Sequence, residues 1–94
     1  RTPVRVVMET ERVLAFHHTR PAYPVHIVVI PRQHVESLLA LDDEALMVDL
    51  LRVIRQVAAD VLAQTGACRV VTNLGRYQES KHLHWHVISG ERTE

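Results

Sequence analysis

Polar and apolar positions along this chain follow two periods, and each period marks out its own elements. The sharpest alternation is residues 81–88, Lys-His-Leu-His-Trp-His-Val-Ile. Successive side chains of an extended strand point to opposite faces, so His82, His84 and His86 share one face while Leu83, Trp85 and Val87 share the other. Neighbouring histidines then stand about 6–7 Å apart along the strand. Residues 4–8, valine-rich with Arg5 the one charge, predict a first strand; 9–12 are a polar break of hairpin-turn length, and 13–16 a second strand. Residues 17–24 hold Pro21 and Pro24 with almost no periodicity, and predict a loop. Residues 25–30 are a near-continuous β-branched run closed by Pro31, expected to be buried on both faces with His26 the one polar insertion. Residues 68–73 predict a fourth strand and 74–80 a polar loop, with the histidine row as the fifth strand.

The second period is helical. Residues 35–39 suggest a single turn, and a long helix follows with Asp42 as its expected N-cap. Leu41 and Leu46 then occupy hydrophobic-staple positions, and Asp43 and Glu44 suit the positive end of the helix dipole. Leu46, Met47, Leu50, Leu51, Ile54, Val57, Ala58, Val61 and Leu62 keep helical spacing, and Gly66 supplies a left-handed exit. Val48 and Val53 lie off this stripe, making the apolar face wider than one sheet contact requires. A homodimer seam would use the excess; scattered exposed valines on a monomer are the alternative. The order strand, strand, strand, helix, strand, strand, with hairpin-length connections, predicts an α+β fold. Its parts are an antiparallel five-stranded sheet, one long helix and a short helical turn.

Composition narrows the function classes. The 94 residues are 47% hydrophobic, which suits one domain with a small core. Eleven Lys+Arg balance 11 Asp+Glu, which argues against an extended nucleic-acid face but leaves a small phosphate ligand open. Cys68 is alone, so no internal disulfide is expected and a reducing, cytoplasmic setting is the simpler reading. No apolar run approaches membrane-spanning length, so no membrane partner is expected. The sequence opens on Arg1, so a further N-terminal segment is expected to precede it.

The row His82, His84, His86, followed by Val87 and Ile88, resembles the signature of the histidine-triad (HIT) family, His-x-His-x-His and two apolar residues. The likeness extends further. Residues 13–17, Val-Leu-Ala-Phe-His, resemble the family's nucleoside-side strand. Residues 24–34 resemble its central strand and following turn, and Val71, Thr72, Asn73 and Gln78 also fall where the family expects them. The resemblance covers essentially the whole chain as a single HIT domain over residues 1–94, most similar to the adenosine phosphoramidase (HINT-like) branch. It implies a hydrolase or transferase acting at the α-phosphate of a purine nucleotide derivative, either a nucleoside phosphoramidate or a dinucleoside polyphosphate. It also implies a homodimer through residues 42–65 and 68–73. His84 would be the nucleophile, forming a nucleotidyl-imidazole intermediate. His82, His86 and His26 would flank and fix it, while Phe16, His17, His18, Asn73 and Gln78 would meet the nucleotide. No cofactor or metal is implied.

Other readings stand beside this one. Three alternating histidines can simply be a wetted sheet face. A His-x-His pair with His26 can begin a zinc site, although no carboxylate lies in the row. A zinc held through an N-terminal cysteine pair, as in some relatives, has no such pair here, so His34 reads as a solvated turn residue. Asn73 and Gln78 can instead close loops on backbone, and Arg20 and Arg76 can meet a leaving-group phosphate or merely be solvated. Two departures bear on substrate. His18 stands where the family has an acid that accepts from ribose hydroxyls, and Glu79 where the phosphoramidase branch has a small hydroxyl residue. The competing class is therefore a nucleotide-binding module with vestigial catalysis.

Overall fold

Short polar breaks between β-branched runs fold back as antiparallel pairs, and the longer apolar helix covers one side of the result. The computed structural model describes residues 3–93. In chain order the elements are β1 (Val6–Glu9), β2 (Val13–His17), β3 (Val25–Pro31), a 3₁₀ turn (Leu38–Ala40), α1 (Glu44–Thr65), β4 (Arg69–Thr72), a second 3₁₀ turn (Gly75–Tyr77) and β5 (Trp85–Ser89). The strands form one antiparallel sheet in the order β1-β2-β3-β5-β4. The predicted α+β architecture is the observed one. Strand β5 lies between β3 and β4, which sets its histidines beside His26.

The sheet's two faces divide the apolar residues. Val13, Ala15, Ile27, Val29 and Val87 pack under α1 against Leu46, Leu50, Val53, Ile54, Val57 and Val61. Burying each such aliphatic side chain is worth about 1.5–3 kcal/mol relative to exposure. Strand β3 is buried on both faces through its middle, as expected, with His26 and Val28 buried on the face away from the helix and Ile30 half-buried at its end. No helix among the described residues is long and apolar enough to cross a membrane.

Four local expectations are corrected. The N-cap of α1 is Asp43, not Asp42: its backbone is extended and its carboxylate accepts the Leu46 N–H at 3.1 Å. Arg12 also reaches Asp43, and together these contacts hold its carboxyl below the usual range. The cap shift takes Leu41 and Leu46 out of staple register, although Leu41 still packs on the core. Val53 is not surplus but 1% exposed, because it continues the face of Leu50 and Val57. Val48, Leu51 and Leu62 are the residues left outside. Finally, β5 begins only at Trp85, so His82 and His84 precede the paired strand. The reason is that the Leu83 N–H bonds the Val35 carbonyl at 2.7 Å, docking this stretch on the turn after β3.

Candidate functional site

The sheet face away from α1 carries the histidines. Strand pairing sets His26 opposite Ile88 and His86 opposite Val28, and the alternation that buries Leu83 and Val87 turns His82, His84 and His86 to this open side. A cavity of about 960 Å³ lies over it, lined by those three histidines and His26 on an apolar floor that includes Phe16, Val28, Ile30 and Val71. The His84 and His86 rings meet edge to face with centroids 4.9 Å apart, closer than their backbone pitch because the rings lean together.

Backbone groups fix where the protons sit. The Ala22 N–H donates to His26 Nδ1 at 3.0 Å. A peptide N–H can only donate, so the neutral His26 carries its proton on Nε2. That Nε2–H faces His86 Nδ1 at 2.9 Å and donates to it. The His86 proton is thereby left on Nε2, the ring's remaining polar atom. Both rings are held neutral at pH 7, with pKa values pushed down to about 4. For His26 the causes are burial first, then the charges of His18, His86 and Arg92. For His86 burial again leads, followed by His84 and His18, with Glu79 opposing.

His84 is set the opposite way. Its Nδ1 lies 2.7 Å from the His82 carbonyl, which can only accept. Nδ1 therefore donates, and Nε2 is the nitrogen with no partner among the described residues. The His82 ring donates from Nε2 to the Pro31 carbonyl at 2.9 Å. Its Nδ1 meets His34 Nδ1 at 3.2 Å, with the rings stacked at 5.2 Å. His34, expected to be a solvated turn residue, is exposed but braces the row.

The other expected site residues divide. Phe16, His18 and Asn73 line the cavity. His17 does not, because it pairs with Ile27 on the opposite pleat. Gln78 does not either: it is 5% exposed and donates to the Glu36 carbonyl at 2.7 Å, closing the loop on backbone. Sequence reasoning missed His34, the Ala22 amide, Tyr23 and Arg92, none of which carries a spacing signal. The zinc reading lacks a matching donor set. Both His26 nitrogens and His84 Nδ1 are committed to other groups, and no three His, Cys, Asp or Glu side chains among the described residues are arranged to hold a metal ion.

Comparison with known proteins shows the family and the fold. The HIT domain model matches residues 1–93. An uncharacterised HIT-like protein of Azospirillum brasilense is 38% identical over 95 residues, spanning 96% of this chain and 78% of its own. Among solved structures, a HIT family hydrolase from Clostridium thermocellum is 30% identical with a TM-score of 0.81, over 99% of this chain and 84% of that one. A hypothetical histidine triad nucleotide-binding protein from Sulfolobus tokodaii is 28% identical with a TM-score of 0.83, over 99% of this chain and 64% of that one. The family model spans nearly the whole chain and the fold is shared throughout: this chain belongs to the HIT domain family.

Proposed function

We propose that the protein is a hydrolase or transferase that cleaves purine nucleotide derivatives at the α-phosphate through a nucleotidyl intermediate on His84. The observation carrying this reading is the His84 Nδ1–His82 carbonyl bond, which leaves Nε2 as the uncommitted nitrogen of a ring lining the cavity. That nitrogen attacks phosphorus and a phosphorus–nitrogen bond forms while the bond to the leaving group breaks, a polyphosphate departing as its anion and an amine with a proton taken from solvent. The His86 Nε2–H donates to a non-bridging oxygen and meets the charge that gathers there. Water then attacks phosphorus, the phosphorus–nitrogen bond breaks, and the nucleoside monophosphate leaves with the imidazole restored. The chemistry requires no metal ion. Phe16, with Val28 and Ile30, offers an apolar bed for a base. Phosphoramidates and dinucleoside polyphosphates both fit, and the likeness to a HIT family hydrolase and to a histidine triad nucleotide-binding protein supports the nucleotide hydrolase reading.

The test is turnover of an adenosine 5′-phosphoramidate together with acid-quench trapping of protein-bound nucleotide. His84→Ala should lower turnover by a thousandfold or more, on the order of losses seen when a nucleophile is removed. A second reading, a nucleotide-binding module with vestigial catalysis, is favoured by Glu79. Its carboxylate lines the same cavity and lies close enough to act on His86. Nucleotide binding without turnover or trapping would select it.

We also propose a homodimer through α1 and β4, where Val48, Leu51, Leu62 and Val70 are exposed.

A further inference from the structure

The cavity's charged groups are unevenly distributed: Arg20 and Arg92 lie at the end beside His26, with the hydroxyl residues Thr19 and Tyr23 near them. The His18 N–H bonds the His26 carbonyl, bringing the two rings to 4.4 Å. The Arg20 N–H donates to His18 Nδ1 at 2.9 Å. By the same reasoning as for His26, the neutral His18 carries its proton on Nε2 and has no acceptor nitrogen left. Arg20 and Arg92 line this end with it. Arg92 is held there by its chain: Gly90 turns at φ +87 against Pro24, the Thr93 N–H bonds the Ala22 carbonyl at 2.8 Å, and the guanidinium carbon stands 6.0 Å from the Tyr23 ring. Neither arginine has a carboxylate partner among the described residues, whose two ion pairs are Arg12–Asp43 and Arg32–Glu9. Among the described residues the cavity's one acidic lining residue is Glu79, which belongs to the loop before β5 and acts on His86.

Two guanidinium groups and an imidazole N–H, with no carboxylate paired to them among the described residues, suit an anion with several acceptor oxygens. The His18 and His86 ring centroids are 6.3 Å apart, so one small ligand can reach both ends. We infer that His18, Arg20 and Arg92 bind a second phosphate group of the nucleotide whose reacting phosphate lies at His84 and His86. The inference rests on the nucleotide reading above and narrows it to ligands with two phosphates, the second carried either on the sugar or along a polyphosphate chain.

Calorimetry on the whole protein with four probes tests it: AMP, ADP, adenosine 2′,5′-bisphosphate and adenosine 3′,5′-bisphosphate, all at one fixed salt concentration. The expected result is at least tenfold tighter binding of one two-phosphate probe than of AMP. That ratio should collapse towards one in the Arg20→Ala/Arg92→Ala double variant and fall below one in His18→Asp. A gain confined to a sugar bisphosphate locates the second phosphate on ribose, and a gain confined to ADP locates it along the chain; both support the inference. Equal affinity for all four probes overturns it while leaving the nucleotide reading intact. A gain that survives the double variant also overturns it, because the second phosphate then binds elsewhere. No binding of any probe removes the nucleotide reading itself. Both arginines are exposed, and a thermal melt of the double variant checks that it folds.

Discussion

A single peptide amide decides what two imidazoles can do. Because the Ala22 N–H occupies His26 Nδ1, the protons of His26 and His86 are both forced onto Nε2. An extra proton on either ring breaks that order. The folded pKa values near 4 lie below the ordinary 6.5, so the unfolded chain binds more protons between those limits. The stabilisation is complete above pH 6.5 and is lost as pH falls towards 4. Since the two rings share a bond, they count as one coupled site. A loss of roughly 1–3 kcal/mol corresponds to a melting temperature lower by about 5–15 °C for a domain of this size. Thermal melts from pH 7 to pH 4.5 should show that fall, with a shallower slope in His26→Gln; the same slope in both proteins would remove the account. The open row of His82, His84 and His86 was legible because a period of two is a local property. The bracing by His34 was not, since its partner His82 is 48 positions away. Nor was the Ala22 amide, since every residue but proline has one.

Elements hold these residues through their ends. Gly90 and Gly66 both adopt left-handed φ, at +87° and +86°, yet their surroundings differ. A Cβ on Gly66 would meet nothing within 4 Å, whereas one on Gly90 would lie 2.7 Å from the Pro24 ring. Alanine at either position costs about 1–2 kcal/mol through φ. Only Gly90→Ala must also push the chain end off the 18–24 loop, weakening the Thr93–Ala22 bond that steadies the amide on His26. Both variants should melt earlier, but only Gly90→Ala should shift the ¹⁵N resonances of the His26 ring. Unchanged ring resonances in that variant would disconnect the tail from the site. The long helix, its exit at Gly66 and the strands were visible as runs and periods. The choice between two adjacent acids for the cap was not, because Arg12, 31 positions away, helps decide it.

At the scale of the molecule, the sheet order brings chemistry together and leaves a surface unmatched. Inserting β5 between β3 and β4 places the histidine row against His26, a juxtaposition that hairpin lengths alone do not specify. It also leaves β4 at an edge, with unpaired backbone groups along one side. Val70 on that strand pairs with Val87, whose side chain lies under the helix, so Val70 belongs to the helix side and is 45% exposed. Val48, Leu51 and Leu62 on α1 are exposed by 46%, 58% and 52%. A core this small gains from covering such a face, and a second copy meeting it about a two-fold axis would cover both apolar sets at once. Sedimentation at micromolar concentration should therefore give twice the single-chain mass, and scattering should give a radius of gyration well above the 12.8 Å of one chain. Leu51→Lys combined with Val70→Lys should return the protein to a single chain while keeping its far-ultraviolet circular dichroism. A wild-type protein that sediments as one chain would show that these residues are ordinary exposed aliphatics and that each cavity is complete within its own chain.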